Sequence, residues 1–142
     1  MCKADFTAPL RFIFFVLLAF AGNLLCAQQI NTDSIEVLIK SSGDKDRINI
    51  LYKLSMSLSD NNPNQSIEYA NEAIEAATRI NDAESLAKCY QLSAGIYFRL
   101  GSFARSKELY TQAFTFFSQT KNEKGKTEAT IALASINFAQ GN

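Results

Sequence analysis

Gly125-Lys126-Thr127 is the triplet in this chain that imitates a phosphate-binding loop. Such a loop needs a second glycine one motif-length earlier, so that consecutive backbone N–H groups can curl around a phosphate. It also needs a strand ahead of it. The glycine position falls on Thr120, and the residues before it carry helical periodicity, so the triplet is not read as a nucleotide site. The chain contains no histidine, which removes Ser-His-Asp and Cys-His catalysis and every histidine-based metal motif. No nucleophile elbow, GxGxxG stretch, EF-hand loop or CxxC pair occurs. Glu68, Glu72 and Glu75 recur at helical spacing and read as a solvated helix face. No catalytic, cofactor-binding or metal-ligating residue is therefore expected, and the chain is not expected to be an enzyme.

The thiols divide in the same way. Cys2 and Cys26 lie in an N-terminal segment with Lys3 and Arg11, the apolar run FIFFVLLAFAGNLL, and a small residue at Ala27. That order of basic, apolar and small residues is the layout of a secretory signal, with cleavage expected after Ala27. Phe12 to Ala21 is short against the ~20 apolar residues of a spanning helix. If it is not cleaved, the segment instead anchors the chain in a membrane. A lipid on Cys26 is disfavoured by Leu25, because the residue before such a cysteine is normally small. Cleavage would take Lys3, Arg11 and Asp5 from the 14 basic and 14 acidic residues, leaving a net charge of −1. Only Cys89 would then remain, among Leu86, Tyr90 and Leu92, so it reads as a small buried apolar residue. The interspersed charges, with no basic run, exclude nucleic acid as an expected partner. The expected location is exported, periplasmic or envelope-associated.

From residue 28 onward the chain reads as consecutive helices. Asp33 and Glu36 suit a capping box ahead of Ile35, Leu38 and Ile39. A second helix is expected over 45–59, with Ile48, Leu51, Leu54 and Leu58 on one face. Asn62, Pro63 and Gln65 mark the next start, and Asn81 with Glu84 mark the one after. Gly101-Ser102 is the following turn, and 121–125 is the next polar break. Phe103, Tyr110, Phe114 and Phe117 form an aromatic stripe at the ~3.6-residue helical period, expected to be core. Phe114 in particular is expected to be buried. The last helix carries Ala129, Ile131, Ala132, Leu133 and Ile136.

Small residues repeat at a fixed interval. Gly101 and Gly141, Ala94 and Ala134, Ser66 and Ser106, and Ala73 and Ala113 are each 40 residues apart, and Ser55 precedes Ala94 by 39. Two helices per interval is the mark of a stacked helical repeat. Tyr90, Ser93-Ala94, Tyr97, Gly101-Ser102-Phe103, Ser106, Tyr110 and Ala113 resemble the tetratricopeptide repeat, with Ser93 where that family has leucine. Leu54-Ser55, Leu58, Ser66, Ala70 and Ala73 fit the same pattern more loosely. Leu133-Ala134, Asn137 and Gly141 begin a third unit. The interval exceeds the usual ~34 residues, as in long-helix variants of the family.

The resemblance implies an all-α fold of antiparallel helix-turn-helix repeats, stacked as a right-handed superhelical solenoid. Its divisions would be a signal peptide over 1–27, a short helix within 28–44, repeats over 45–82 and 83–122, and the first helix of an incomplete repeat over 123–142. It implies a groove lined by the first helix of each pair: Asn49, Tyr52 and Met56; Lys88, Gln91, Gly95, Phe98 and Arg99; Glu128, Ile131 and Ser135. Lys88 and Arg99 would hold a partner carboxylate, with Tyr52 and Phe98 giving apolar contact. The expected function is a non-catalytic scaffold that binds a peptide or partner helix. The alternative is the sensor segment of a bacterial signal-transduction protein, here truncated. If the array stops at residue 142, the last helix is expected to expose Ile131, Leu133 or Ile136, and self-association would cover them.

Overall fold

The computed structural model describes residues 34–141, so the expected signal peptide and its cleavage point lie outside the described residues. Every regular element among them is a helix: α1 over 34–41, α2 (Asp44–Leu58), α3 (Pro63–Arg79), α4 (Ala83–Arg99), α5 (Phe103–Gln119) and α6 (Glu123–Ala139). Among the described residues no helix is long and apolar enough to cross a membrane. α1 belongs to one compact unit and carries an exposed Glu36–Lys40 ion pair. α2–α6 form the other unit, which holds the candidate site.

The helices from α3 onward keep a strict length. Each has 17 residues and each link between them has three, so starts fall at 63, 83, 103 and 123. The links repeat in conformation as well as in length. Asn81, Gly101, Lys121 and Gly141 all take positive φ, at 54°, 73°, 56° and 76°. Asp82 N–H donates to Ala77 O and Asn81 N–H to Thr78 O, and the same two bonds recur from Ser102 and Gly101 and from Asn122 and Lys121. This is the Schellman ending, which satisfies carbonyls at the close of a helix through one left-handed residue. The residue that completes each ending is also the first cap of the next helix. Asp82 accepts from Ser85 N–H at 3.1 Å and Asn122 from Gly125 N–H at 2.9 Å.

Two sequence expectations shift here. The cap of α4 is Asp82 rather than Asn81, because Asn81 takes the left-handed position that asparagine tolerates. Gly125 lies inside the first turn of α6 rather than in a break. Asn62 does cap α3, with Pro63 in the first turn, and its amide also donates to Gln65 Oε1 at 3.1 Å.

Packing follows the chain. Within the α2–α6 unit each helix lies against its sequence neighbours, and α4 also meets α2 and α6. The α4–α5 hairpin closes on small residues: Ala94, Ser106 and Ala113 are fully buried, and Ser106 Oγ donates to Ala94 O at 2.8 Å. In the α2–α3 hairpin, buried Ser66 donates to Ser55 O in the same way. α3 packs against both α2 and α4, and it buries Ala70, Ala73, Ala76 and Ala77, small residues that let neighbouring backbones approach. Phe117 fills the junction of α4, α5 and α6, against Ala87 and Ala113 and with its ring where a Gly125 side chain would stand. The aromatic stripe is corrected at Phe114, which is 36% exposed. The buried line on α5 is Ser106, Leu109, Ala113 and Phe117, with Phe116 stacked on Tyr90 at 5.7 Å.

Candidate functional site

α2, α4 and α6, the first helix of each pair, lie side by side, and two hollows open between them. The first has a volume of about 280 Å³ and sits between α2 and α4. Asn49, Tyr52 and Met56 come from α2, at helical spacing on one face, and Lys88 and Cys89 come from α4. The rim is polar. Lys88 Nζ lies 2.8 Å from Glu84, one turn earlier, in an exposed pair that contributes little to stability but holds the ammonium at the mouth. The floor is apolar. Burial pushes the Cys89 thiol up to about 12, so it sits there as a neutral wall group rather than a nucleophile. Burial also raises the Tyr52 phenol, helped by Cys89 and opposed by Lys88, so Tyr52 stays protonated and able to donate at neutral pH.

The second hollow, about 180 Å³, lies between α4 and α6 and is lined by Phe98, Tyr110, Ala132 and Ser135. Tyr110 belongs to α5 and reads in the sequence as a core ring. Its hydroxyl lies beside Gly95, where a Cβ would stand at ordinary van der Waals contact, 3.5 Å from Tyr110 Oη, so only a side chain larger than alanine would crowd it. In the first pair the equivalent positions are Met56 on α2 and Ala70 on α3, 39 and 40 residues before Gly95 and Tyr110. The signal for Tyr110 is therefore a paired exchange of large and small residues across the repeat, not any single position.

The other expected groove residues are tied to neighbours. Gln91 Nε2 donates to Glu128 Oε2 at 2.9 Å, bridging α4 to α6 between the two hollows. Arg99 turns to the α2–α3 link, donating to Ser59 O at 3.1 Å and lying 3.5 Å from Asp60. It borders a different recess from Lys88, so the structure does not bring those two cations together. Ile131 is 61% exposed. Lys53 and Ser85 join the first hollow although the sequence reading did not include them; each lies one turn from an expected lining residue, Asn49 and Lys88.

Phe98 and Phe103 meet edge to face at 5.5 Å, and Tyr97 lies beside the Arg105 side chain. Tyr90, Ala94, Tyr97, Phe103, Ser106 and Ala113 thus all serve the α4–α5 contact rather than the open face. Among the described residues no group of three or more His, Cys, Asp or Glu could hold a metal ion. A scan against protein-family models, a search of curated proteins and a search of solved structures each give no match to this chain.

Proposed function

We propose that this chain is a non-catalytic interaction module whose tetratricopeptide-like helix pairs stack as a right-handed solenoid. A peptide or partner helix lies along the face of α2, α4 and α6. The observation that carries this reading is the α2–α4 hollow. An apolar floor with a few polar groups at its mouth is the usual make-up of a recognition site. Asn49, Tyr52, Met56 and Lys88 supply both kinds of group from two helices. Tyr52 is the anchor, an aromatic ring with a donor at its tip. Lys88 sets a preference for an acidic residue in the partner, and the α4–α6 hollow takes a second side chain. The apolar run near the N-terminus supports export, which puts the module outside the cytoplasmic membrane.

A display library of random peptides, panned against the full chain and followed by titration calorimetry of the selected sequences, tests this. Tyr52→Ala and Lys88→Glu are expected to weaken the selected peptides tenfold or more, with Glu75→Gln on α3 as an unaffected control. Failure to enrich any sequence, or peptides indifferent to both groove variants, would remove the reading.

A further inference from the structure

Two donors converge above Gly95 on α4. A Cβ built there would stand 3.5 Å from Tyr110 Oη, which comes from α5, and 3.9 Å from Arg99 Nη1, one turn further along α4. The phenol and the guanidinium therefore share the space over a bare backbone. The repeat does not require this. In the first pair the positions equivalent to Gly95, Arg99 and Tyr110 hold Met56, Asp60 and Ala70. On α6 the positions equivalent to Gly95 and Arg99 hold Ser135 and Ala139. The glycine, the arginine and the tyrosine are three departures from the repeat that meet at a single point.

The chemistry of this point suits an anion. Arg99 meets the α2–α3 link through Nη2, 3.1 Å from Ser59 O and 3.5 Å from Asp60, so those contacts use the other edge of the fork. Burial raises the Tyr110 phenol, with Arg99 opposing, so its proton is in place at neutral pH. Tyr110 also lines the α4–α6 hollow, where Phe98 and Ala132 form apolar walls. Ser135, on the same hollow, spends its proton on Ile131 O at 2.9 Å and adds no donor. A permanent cation and a neutral phenol select a charged acceptor, because a charge-assisted hydrogen bond is about twice as strong as a neutral one. The planar guanidinium matches a carboxylate in shape. A hollow of about 180 Å³ admits one short side chain or a small organic acid. Asp60 is the competitor for Arg99, but it is 82% exposed, and such a surface pair holds weakly.

We infer that Arg99 and Tyr110, brought together over Gly95, form a seat for one carboxylate whose apolar stem lies in the α4–α6 hollow. The acid accepts from Arg99 Nη1 and from the Tyr110 hydroxyl. An aspartate of a protein partner and a free organic acid both offer this chemistry. The first source rests on the proposed groove. The seat itself is built by α4 and α5 and is separate from the Lys88 hollow.

The probe is para-fluorobenzoate, titrated with the full chain and followed by fluorine NMR relaxation, with para-fluorobenzamide as its neutral twin. Saturable binding of the acid in about the millimolar range, and none of the amide, is expected. Tyr110→Phe, which removes one oxygen, and Arg99→Gln are each expected to weaken it about tenfold or more, with thermal melts confirming folded protein. Asp60→Asn is expected to tighten it, because a competing carboxylate leaves; the loss of a merely structural ion pair would not do so. A capped alanine peptide carrying one aspartate is the second arm. Displacement of the acid by this peptide assigns the seat to a protein partner, and failure to displace assigns it to a small organic acid. The seat is overturned by absence of saturation, by equal binding of acid and amide, or by acid binding that none of the three variants changes. Peptide panning that fails while the acid still binds would remove the groove reading and leave the seat standing.

Discussion

Phe114 and Phe117 are one turn apart on α5, yet one lies at the surface and the other is 2% exposed at the junction of three helices. Phe117→Ala leaves a cavity lined by Ala87 and Ala113, neither of which can expand into it, and is expected to cost ~3–5 kcal/mol. Phe114→Ala is expected to cost less than about 1 kcal/mol. Urea titrations of the two variants check the pair, and equal costs would contradict the packing described. Gly125 belongs to the same contact: a Cβ there would stand 2.5–2.6 Å from three Phe117 ring atoms. Gly125→Ala should therefore destabilise by ~1–3 kcal/mol, and less so in a chain that already carries Phe117→Leu. The glycine that imitates a phosphate loop in the sequence serves a ring in the structure. No spacing rule within α6 reveals this, because the reason for Gly125 sits on another helix.

At the scale of the element, the 20-residue rhythm of helix and link is enforced at the left-handed residues. Gly101 suits that position without strain, whereas Lys121 bears the cost of its Cβ, ~1–2 kcal/mol for an L-residue. Lys121→Gly relieves that strain but adds freedom to the unfolded chain, worth about 0.5–1 kcal/mol against it. The net expectation is a gain of up to about 1.5 kcal/mol, seen as a melting temperature several degrees higher. Gly101→Ala is expected to move it down by a similar amount. A fall with Lys121→Gly would mean that its side chain makes a contact larger than the strain. The small residues and the helix count were legible in the sequence, because Ala94, Ser106 and Ala113 recur at the repeat interval and small size has one use between crossing helices. Aromatic spacing alone points to Phe114 on α5, whereas burial falls on Leu109, at 3% exposure, because the face that meets the neighbouring helices is set by packing and not by ring size. The α4 cap was misplaced by one residue because Asn81 and Asp82 can both cap, and only the left-handed demand of the link separates them.

At the scale of the whole α2–α6 unit, stability is passed between neighbours, since helices further apart in the chain do not touch beyond the α2–α4 and α4–α6 contacts. α4 has partners on every side that a helix of this unit can use: α3, α5, α2 and α6. Among the described residues α6 meets α5 and the edge of α4, and Ala134 and Phe138 are exposed. Local opening of α6 then sacrifices chiefly the burial of Ala129 and Ile136 and the Gly125–Phe117 contact, whereas opening α4 breaks its seams with α3 and α5 at once. Amide hydrogen exchange is therefore expected to divide the unit, fastest along α6 and slowest along α4, with α5 between them. The Arg99 and Gln91 cross-links, which no helical periodicity could have revealed, act at opposite ends of this gradient: one ties α4 to the first link, the other ties it to α6. Gln91→Ala should accelerate exchange in α6 while leaving α2 unchanged. Uniform protection across α4 and α6 would show instead that the five helices open together.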